Sequence, residues 1–263
     1  MPVTTVAGNG TIMLALAKKI AYEHIGLDCV KKVLISGAKT EFETLKPLEP
    51  VFDLAIVKDI YGATETGEIC RPPMDAVKWY GIGFPAPKVQ IKIVDIKSGK
   101  VLGPNEKGEA LVKSPYCMRG YYENPEATSN AITADGWVRT GDMCYYNEDG
   151  QFFFVERMND LFKAMGILVA PSSIERVLLS HKGIEEAAVI GVPHPEYSQV
   201  AGAFVVLKTD SRNITEEELK NFVAGQLGVF MHLHGGVKFV QKMPKDDSGK
   251  VNKKELMMYR QGT

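Results

Sequence analysis

The sequence predicts a mixed α/β and α+β protein of two domains, and three patterns along the chain support this. Residues 30–38 (VKKVLISGA) and 53–62 (DLAIVKDIYG) are short apolar runs that end in glycine-containing turns, as strands of an α/β sheet do. Residues 89–122 contain the strand patterns VQIKIVD and GEALVK, separated by turns at residues 98–99 and 104–105, which indicates a small antiparallel β subdomain. Beyond Arg157, helical and strand patterns follow one another over roughly 100 residues, which is close to the size of one domain.

The first domain is predicted to span residues 1–155. Its apolar run from Thr11 to Ala17 is interpreted as a buried helix that precedes the two strands. Because neighbouring parallel strands end at the same edge of a sheet, we expect a ligand site at this carboxyl edge. Residues 136–160 then predict two strands joined by a turn at residues 148–150 (EDG).

The second domain is predicted to span residues 156–263 as an α+β unit. Pro171 opens a helical pattern, and Thr215 is placed to cap a second one. The predicted helices are residues 171–181 and 214–227, and the predicted strands are residues 187–193, 202–208 and 238–244.

Charge and hydropathy argue against several classes of function. The 263 residues include 31 Lys and Arg against 32 Asp and Glu, for a formal net charge of −1. No excess of positive charge therefore favours nucleic acid or an anionic membrane. No stretch approaches the ~20 apolar residues of a membrane span. Without a signal peptide or an SKL-type ending, a cytoplasmic location is expected, and the sequence does not indicate an oligomeric state.

The four cysteines are far apart and include no CxxC pair, so neither a zinc site nor a disulfide framework is expected.

Four motifs carry the functional signal by their order and spacing. They are YGATETG (residues 61–67), GWVRTGD (136–142), FFFVERMNDLFKAMG (152–166) and PKDDSGK (244–250). Each alone is weak, but together they resemble the adenylate-forming enzymes: acyl-CoA synthetases, 4-coumarate:CoA ligases and beetle luciferases. The resemblance covers essentially the whole chain. It implies part of a large adenylation domain followed by a small, mobile C-terminal domain.

The first motif can supply most of a nucleotide site. Tyr61 offers an aromatic face, Gly62 lets the backbone pass close to a ligand, and Thr64 can bond a phosphate oxygen. Glu65 can hold Mg²⁺ directly or through water, because carboxylate oxygen suits this ion. The resemblance implies these roles. The alternative is a strand-to-turn junction with solvated polar residues.

Further nucleotide contacts are implied by the resemblance. Ser36, Gly37 and Ala38 fall where the family packs backbone against adenine, although by themselves they form an ordinary turn. Asp142 corresponds to the aspartate that accepts the ribose hydroxyls. Arg157, which follows a predicted hairpin, would contact ribose or phosphate.

The resemblance also implies a two-step reaction that uses ATP and then CoA. Lys250 would neutralise charge while a carboxylate attacks the α-phosphate, giving acyl-AMP and pyrophosphate. The small domain would then rotate about a hinge at Glu156, where many relatives have Asp. Lys163 and Gly166 would lie on the face presented for thioester formation.

Parts of the family pattern are missing. No Ser/Thr/Gly-rich phosphate loop ending in lysine is found, and AGNGT at residues 7–11 does not replace it. We therefore expect the chain to begin within the large domain. Near the CoA channel, Met165 and Leu168 stand where relatives commonly have lysine and glutamine, and residues 231–234 (MHLH) replace residues that are often basic.

The function expected first is a ligase that activates a small-molecule carboxylic acid with ATP to an acyl-adenylate and transfers the acyl group to CoA. Because the phosphate loop is missing, autonomous activity is in doubt at this stage. The alternatives are a noncatalytic fragment or AMP- or acyl-AMP-binding module, and a luciferase-like monooxygenase that uses the same adenylation chemistry. The acid itself is not identified.

Overall fold

The computed structural model describes residues 3–8, 10–23, 29–37, 56–73, 81–209, 211, 213–246 and 249–261. It divides into two compact units, Met1–Val155 and Glu156–Thr263, which are described separately below. The predicted combination of an α/β sheet, a small β subdomain and an α+β unit is confirmed.

The first sheet of the first unit begins with parallel strands. β1, β2 and β3 are parallel neighbours, and β4 and β5 follow in antiparallel order. Helix α1 contains the predicted apolar run and buries Met13 and Ile20 beside Val33 and Ile35 of β2. Residue 38 and residues 53–55, which belong to the predicted strands, lie outside the described residues. The elements are β1 (Thr5–Gly8), α1 (Gly10–Glu23), β2 (Lys32–Ser36), β3 (Ile56–Ala63), β4 (Gly67–Arg71) and β5 (Phe84–Pro85).

The second sheet of this unit is the predicted β subdomain. Its strand order is β6-β7-β8-β9, and Ile93, Val112 and Cys144 lie in its buried core. The predicted turn before β9 is present, with Gly150 at φ +77°. Helix α2 was not predicted from the sequence; the side chain of Asn124 caps it by accepting from Ala127 N–H. The elements are β6 (Gln90–Val94), β7 (Gly108–Lys113), α2 (Pro125–Ala131), β8 (Val138–Tyr146) and β9 (Phe152–Arg157).

The second unit is a mixed sheet covered on both faces. Strand order β11-β10-β13-β12 is extended by β14, which pairs with β13. Thr215 caps α4 as predicted, since its Oγ1 accepts from Glu218 N–H at 3.1 Å. The elements are β10 (Phe162–Ala164), β11 (Ile167–Val169), α3 (Pro171–Ser180), β12 (Ile184–His194), β13 (Ser198–Leu207), α4 (Glu216–Ala224), β14 (Val237–Phe239) and α5 (Lys253–Gln261).

The period-two pattern of the central strands explains the two covered faces. In β13, Ala203 and Val205 join the core under α3 and α4, whereas Phe204 and Val206 join the core that contains Leu256 of α5. Successive side chains of a strand point to opposite faces, so a strand that is apolar at every position is buried on both.

The last predicted strand, residues 238–244, was wrong in its extent. Pairing is limited to β14, residues 237–239, and the chain then bends away. The ladder ends with the pairing to β13, and beyond it Met243 is buried in the core that contains Leu256. Helix α5 was not predicted either, because its sequence, KKELMMYRQ, is mostly polar and presents few apolar side chains.

Candidate functional site

Two of the predicted nucleotide-binding segments lie at one edge of the first sheet. In the parallel register of β2 and β3, Ser36 is opposite Ile60. Ser36 and Gly37 therefore lie beside the end of β3 at which Tyr61 follows Ile60. Both residues are exposed, and Gly37 has φ +90°, a conformation that favours glycine. The third residue of this predicted segment, Ala38, lies outside the described residues. The described part of this edge presents exposed backbone beside Tyr61, whose ring packs against the buried core that includes Cys144 and Phe152.

The YGATE segment forms the end of β3 and the start of a tight hairpin. Residues 64–66 form the turn, and β4 returns antiparallel to β3. A side chain at Gly62 would place its Cβ 2.5 Å from the carbonyl oxygen of Gly67, so only glycine fits without a shift of the backbone. Thr64 is exposed at the turn, where its hydroxyl is accessible to a ligand.

Tyr61 and Asp142 form a direct contact between two motifs. The Tyr61 hydroxyl donates to Asp142 Oδ2 at 2.5 Å, although the residues are 81 positions apart. Asp142 is 1% exposed, and its own N–H donates to Thr140 Oγ1 at 3.1 Å. Burial, together with the nearby Cys144 and Asp142, raises the pKa of Tyr61, so the phenol remains a proton donor. A ribose hydroxyl that binds this carboxylate must therefore exchange with, or add to, its protein partners.

Glu65 is held in place by a segment that the sequence did not connect to it. The Tyr121 hydroxyl donates to Glu65 Oε1 at 2.8 Å, and Met118 N–H donates to the Glu65 carbonyl oxygen at 2.8 Å. The hydrogen bond to Glu65 raises the pKa of Tyr121, with smaller contributions from burial and the carboxylate charge. Tyr121 follows a glycine in an ordinary loop sequence, and no local pattern identifies its partner.

The donors around Glu65 fit a hard cation such as Mg²⁺. The carboxylate is half-buried, one oxygen accepts from Tyr121, and the Thr64 hydroxyl lies in the same turn. Among the described residues no group of three His, Cys, Asp or Glu could hold a metal on its own. Mg²⁺ in nucleotide sites is commonly bound by one or two carboxylates together with substrate phosphates.

The predicted hinge residue Glu156 is the first residue of the second unit. Its side chain is 6% exposed, and Oε2 accepts from Ser172 N–H in the first turn of α3 at 2.9 Å. Oε1 accepts from Arg157 N–H at 3.1 Å. Arg157 itself ends β9 with an exposed side chain.

Lys163 and Gly166 lie on one hairpin of the second unit. Lys163 is an exposed residue of β10, and Gly166 occupies the turn to β11 with φ +80°. The turn's other residue, Met165, also has positive φ, +49°. Beyond the turn, Ile167 and Leu168 are 45% and 50% exposed, so the hairpin presents an apolar surface beside its lysine.

Lys250 lies on a loop of residues 244–252, here called the Lys250 loop, whose residues 247 and 248 are outside the described part. Its side chain is exposed, and its N–H donates to Asp246 Oδ1 at 3.0 Å. An isolated bridge between Lys245 and Val251 closes the loop at its base. The preceding Gly249 has φ +81°, which accounts for glycine at this place.

A charged cluster next to this loop was not predicted from the sequence. Lys253 Nζ lies 3.2 Å from Glu175 Oε1 and 3.8 Å from Asp160 Oδ2. Burial raises the pKa of Glu175, and Glu156 adds to this effect, whereas Lys253 opposes it. The partners come from three separate segments, so no spacing along the sequence predicts their contact.

Comparisons with known proteins agree with these motifs. Residues 1–122 match the family model described as AMP-binding enzyme, and residues 173–250 match the model of the AMP-binding enzyme C-terminal domain. A luciferin 4-monooxygenase of Nipponoluciola cruciata is 38% identical over 250 residues, which are 95% of this chain and 45% of that protein. The 4-coumarate–CoA ligase-like 6 of Oryza sativa subsp. japonica is 35% identical over 259 residues, 97% of this chain and 43% of that protein.

A solved structure shows the same fold. The ATP-bound MatB from Rhodopseudomonas palustris superposes with a TM-score of 0.88 at 28% identity, over 98% of this chain and 51% of that one. The chain thus spans about half the length of the relatives that it matches. No helix among the described residues has the length and apolarity needed to cross a membrane. By its motifs, its fold and the two family models, the chain belongs to the adenylate-forming superfamily of AMP-binding enzymes.

Proposed function

We propose that this chain carries the adenylate-binding edge and the lysine-bearing C-terminal unit of a ligase that converts a carboxylic acid and ATP to acyl-AMP and then to acyl-CoA. The observation that supports this most is the contact of Tyr61 with the buried carboxylate of Asp142, beside the exposed backbone of Ser36 and Gly37. This edge combines an aromatic ring, an acceptor for a diol and open backbone, which are the groups that an adenosine needs.

In the first step a carboxylate oxygen attacks the α-phosphorus of ATP, and the bond to pyrophosphate breaks. Thr64 donates its hydroxyl to a phosphate oxygen, and Arg157 stabilises ribose or phosphate. The Lys250 ammonium neutralises the negative charge that builds up on the phosphate during attack, an effect that is strong where water is excluded.

A bound Mg²⁺ would supply positive charge that offsets the charge of the phosphates. Glu65 is the residue of this chain that would hold it, directly or through water. The Tyr121 hydroxyl donates to Oε1 of that carboxylate and so holds the side chain in place.

In the second step a CoA thiolate attacks the acyl carbonyl carbon, and AMP leaves. We assign Lys163 and Gly166 to the face that serves this step, and Glu156 to the hinge that precedes it. The β10–β11 hairpin is more apolar than expected for a surface that binds only a charged nucleotide, because it carries Met165, Ile167 and Leu168.

The test is acid-dependent exchange between ATP and pyrophosphate, measured on the purified chain with a panel of fatty and aromatic carboxylic acids. We expect exchange in the parent chain and in Lys254→Ala, whose lysine is exposed and close to the loop, but not in Lys250→Ala. Binding of AMP without exchange would support a noncatalytic AMP- or acyl-AMP-binding module. A folded chain with neither property would overturn the proposal.

A luciferase-like monooxygenase is a second candidate, because luciferin 4-monooxygenases are among the relatives at 38% identity. Both activities begin by forming an acyl-adenylate, so they differ only in the reaction that consumes this intermediate. Oxygen consumption that requires the adenylated acid and no CoA would favour the monooxygenase, whereas release of a CoA thioester would favour the ligase.

A further inference from the structure

A buried ammonium that the reaction scheme above does not use lies next to the Lys250 loop. Lys253 is 20% exposed, and its Nζ is within 4 Å of carboxylates from two other segments: Glu175 of α3 at 3.2 Å and Asp160 after β9 at 3.8 Å. A charge removed from water is tolerated when partners surround it, and breaking such a pair leaves an uncompensated charge. The arrangement therefore constrains where the first residue of α5 can lie.

Lys253 is three residues beyond Lys250 and directly follows the closing contacts of the Lys250 loop. Asn252 N–H donates to the Pro244 carbonyl oxygen at 2.9 Å, which joins the two ends of the loop. Asn252 Oδ1 then accepts from Glu255 N–H at 3.2 Å and caps α5. The base of the loop and the start of the helix are thus one continuous structure.

The backbone of the loop is closed by its own hydrogen bonds. Asp246 N–H donates to the Lys250 carbonyl oxygen at 2.8 Å, and Gly249 N–H donates to the Asp246 carbonyl oxygen at 2.9 Å. These bonds connect Gly249 and Lys250 to Asp246, so the position of Lys250 on the unit depends on what holds the base of the loop.

Two kinds of contact hold that base. Leu256, fully buried with Phe204 and Met243, attaches α5 to the sheet by nondirectional apolar packing. The ion pairs of Lys253 add a directional attachment to α3. Glu175 is itself fixed, because Oε1 also accepts from Val189 N–H at 2.9 Å.

The same cluster reaches the first residue of the unit. Burial lowers the pKa of Lys253, but the charges of Glu175, Glu156 and Asp160 raise it by more, so the side chain stays protonated. Glu156 also accepts from the N-terminal turn of α3 through Ser172 N–H. The proposed hinge and the proposed catalytic lysine are therefore attached to one helix, α3.

We propose that Lys253 is a positioning residue for Lys250: its ion pairs with Glu175 and Asp160 orient the base of the Lys250 loop on α3 and so place the Lys250 ammonium for adenylate formation. This inference rests on the proposed function for its catalytic part. The geometric part stands on the contacts alone.

The test compares Lys253→Met, which keeps the aliphatic stem and removes the charge, with Lys254→Met at the exposed neighbouring position. In acid-dependent ATP–pyrophosphate exchange, we expect Lys253→Met to lower kcat by about tenfold or more with KM for ATP and acid unchanged, because the misplaced group acts only in the reacting complex. Lys253→Arg should restore most of the rate, and Lys254→Met should match the parent.

A second readout does not need activity. Hydrogen exchange at the amides of Lys250 and Asn252 should accelerate in Lys253→Met and remain unchanged in Lys254→Met. If Lys253→Met fails to fold, Glu175→Gln is compared with the parent chain instead, because it removes the charge of the partner carboxylate and keeps the shape of that side chain. Unchanged amide exchange in a folded variant, an equal effect of Lys254→Met, or a change confined to KM would overturn the positioning role. An inactive parent chain with accelerated amide exchange in Lys253→Met would instead refute the proposed function and retain the geometric part.

Discussion

The turn that follows β3 and the Lys250 loop hold their functional side chains in different ways. At the turn, the side chains themselves are fixed: Tyr61 bonds Asp142, and Tyr121 bonds Glu65. In the Lys250 loop the backbone groups of Asp246, Gly249 and Lys250 are hydrogen-bonded, whereas the side chain of Lys250 is exposed. The first region is built to present a ready-made set of donors and acceptors, and the second to present one movable charge.

This difference matches the two roles that we propose, nucleotide binding by the first region and charge neutralisation in one step by the second. Groups that bind a nucleotide through both steps gain from being preorganised, since ordering them costs nothing further on binding. A lysine needed in one step only can remain mobile as long as its loop is placed correctly. The following predictions test this contrast, beginning with the largest expected effect.

Lys250→Ala should lower the rate of adenylate formation by about 100-fold or more, the scale found when one group that stabilises transition-state charge is removed. Thioester formation from supplied acyl-AMP should be unaffected. Stopped-flow or quenched-flow assays of each half-reaction measure the two rates separately. An equal loss in both steps would show that Lys250 serves the nucleotide site as a whole, like the groups at the β3 turn.

Gly62→Ala should destabilise the first unit by about 1–3 kcal/mol, the usual cost of forcing extra atoms into packed structure. The added Cβ would lie 2.5 Å from the Gly67 carbonyl oxygen. Gly225→Ala is the matched control, since its backbone is right-handed helical and its Cβ would meet nothing closer than 3.5 Å. Denaturant unfolding measures both, and an equal effect would show that the turn tolerates a shift.

Tyr121→Phe should raise the Mg²⁺ concentration needed for half-maximal exchange by about threefold to tenfold, because loss of one hydrogen bond to a charged group is worth about 1 kcal/mol at an exposed site. Binding of Mn²⁺, followed by its paramagnetic effect on water relaxation, should weaken to the same extent. Tyr122→Phe is the control, as that ring is 90% exposed. Unchanged Mn²⁺ affinity in Tyr121→Phe would remove Glu65 from the metal site.

The smallest effect is expected at a hydrogen-bonded carboxylate in the turn that follows β6. The side chain and N–H of Ser98 bond Asp95 and hold its pKa below the usual value. A lowered carboxyl pKa contributes stability above the unfolded-state pKa, and this contribution is lost as pH falls through the folded-state pKa. Ser98→Ala should move the pKa of Asp95 upward in an NMR titration and leave exchange activity unchanged; altered activity would contradict its structural role.

Local features of the fold were predictable from sequence, whereas contacts across the chain were not. Gly150, Pro171 and Thr215 marked a turn and two helix starts because their backbone or capping chemistry acts within a few residues. Strand β14 ended early because pairing depends on β13, not on its own sequence.

The candidate site shows the same limit. The motifs identified Asp142 and Glu65, but their partners Tyr61 and Tyr121 are 81 and 56 positions away. No motif marked Lys253, because its partners Glu175 and Asp160 come from two other segments of the second unit. Sequence patterns identify such residues only after the fold has placed their partners.

The most direct test of the account is a calorimetric titration of the chain with AMP and with a nonhydrolysable acyl-adenylate analogue. Neither ligand carries β- or γ-phosphates, so binding depends on the β3 edge and its diol acceptor. We predict that the parent chain binds both ligands and that Asp149→Asn, at an exposed turn position, binds them equally well. Binding by Asp142→Asn should be about 10–100-fold weaker, which is the loss expected for hydrogen bonds to a charged group. Equal affinity in Asp142→Asn, or no binding by a folded parent chain, would contradict the assignment of a nucleotide site to this edge.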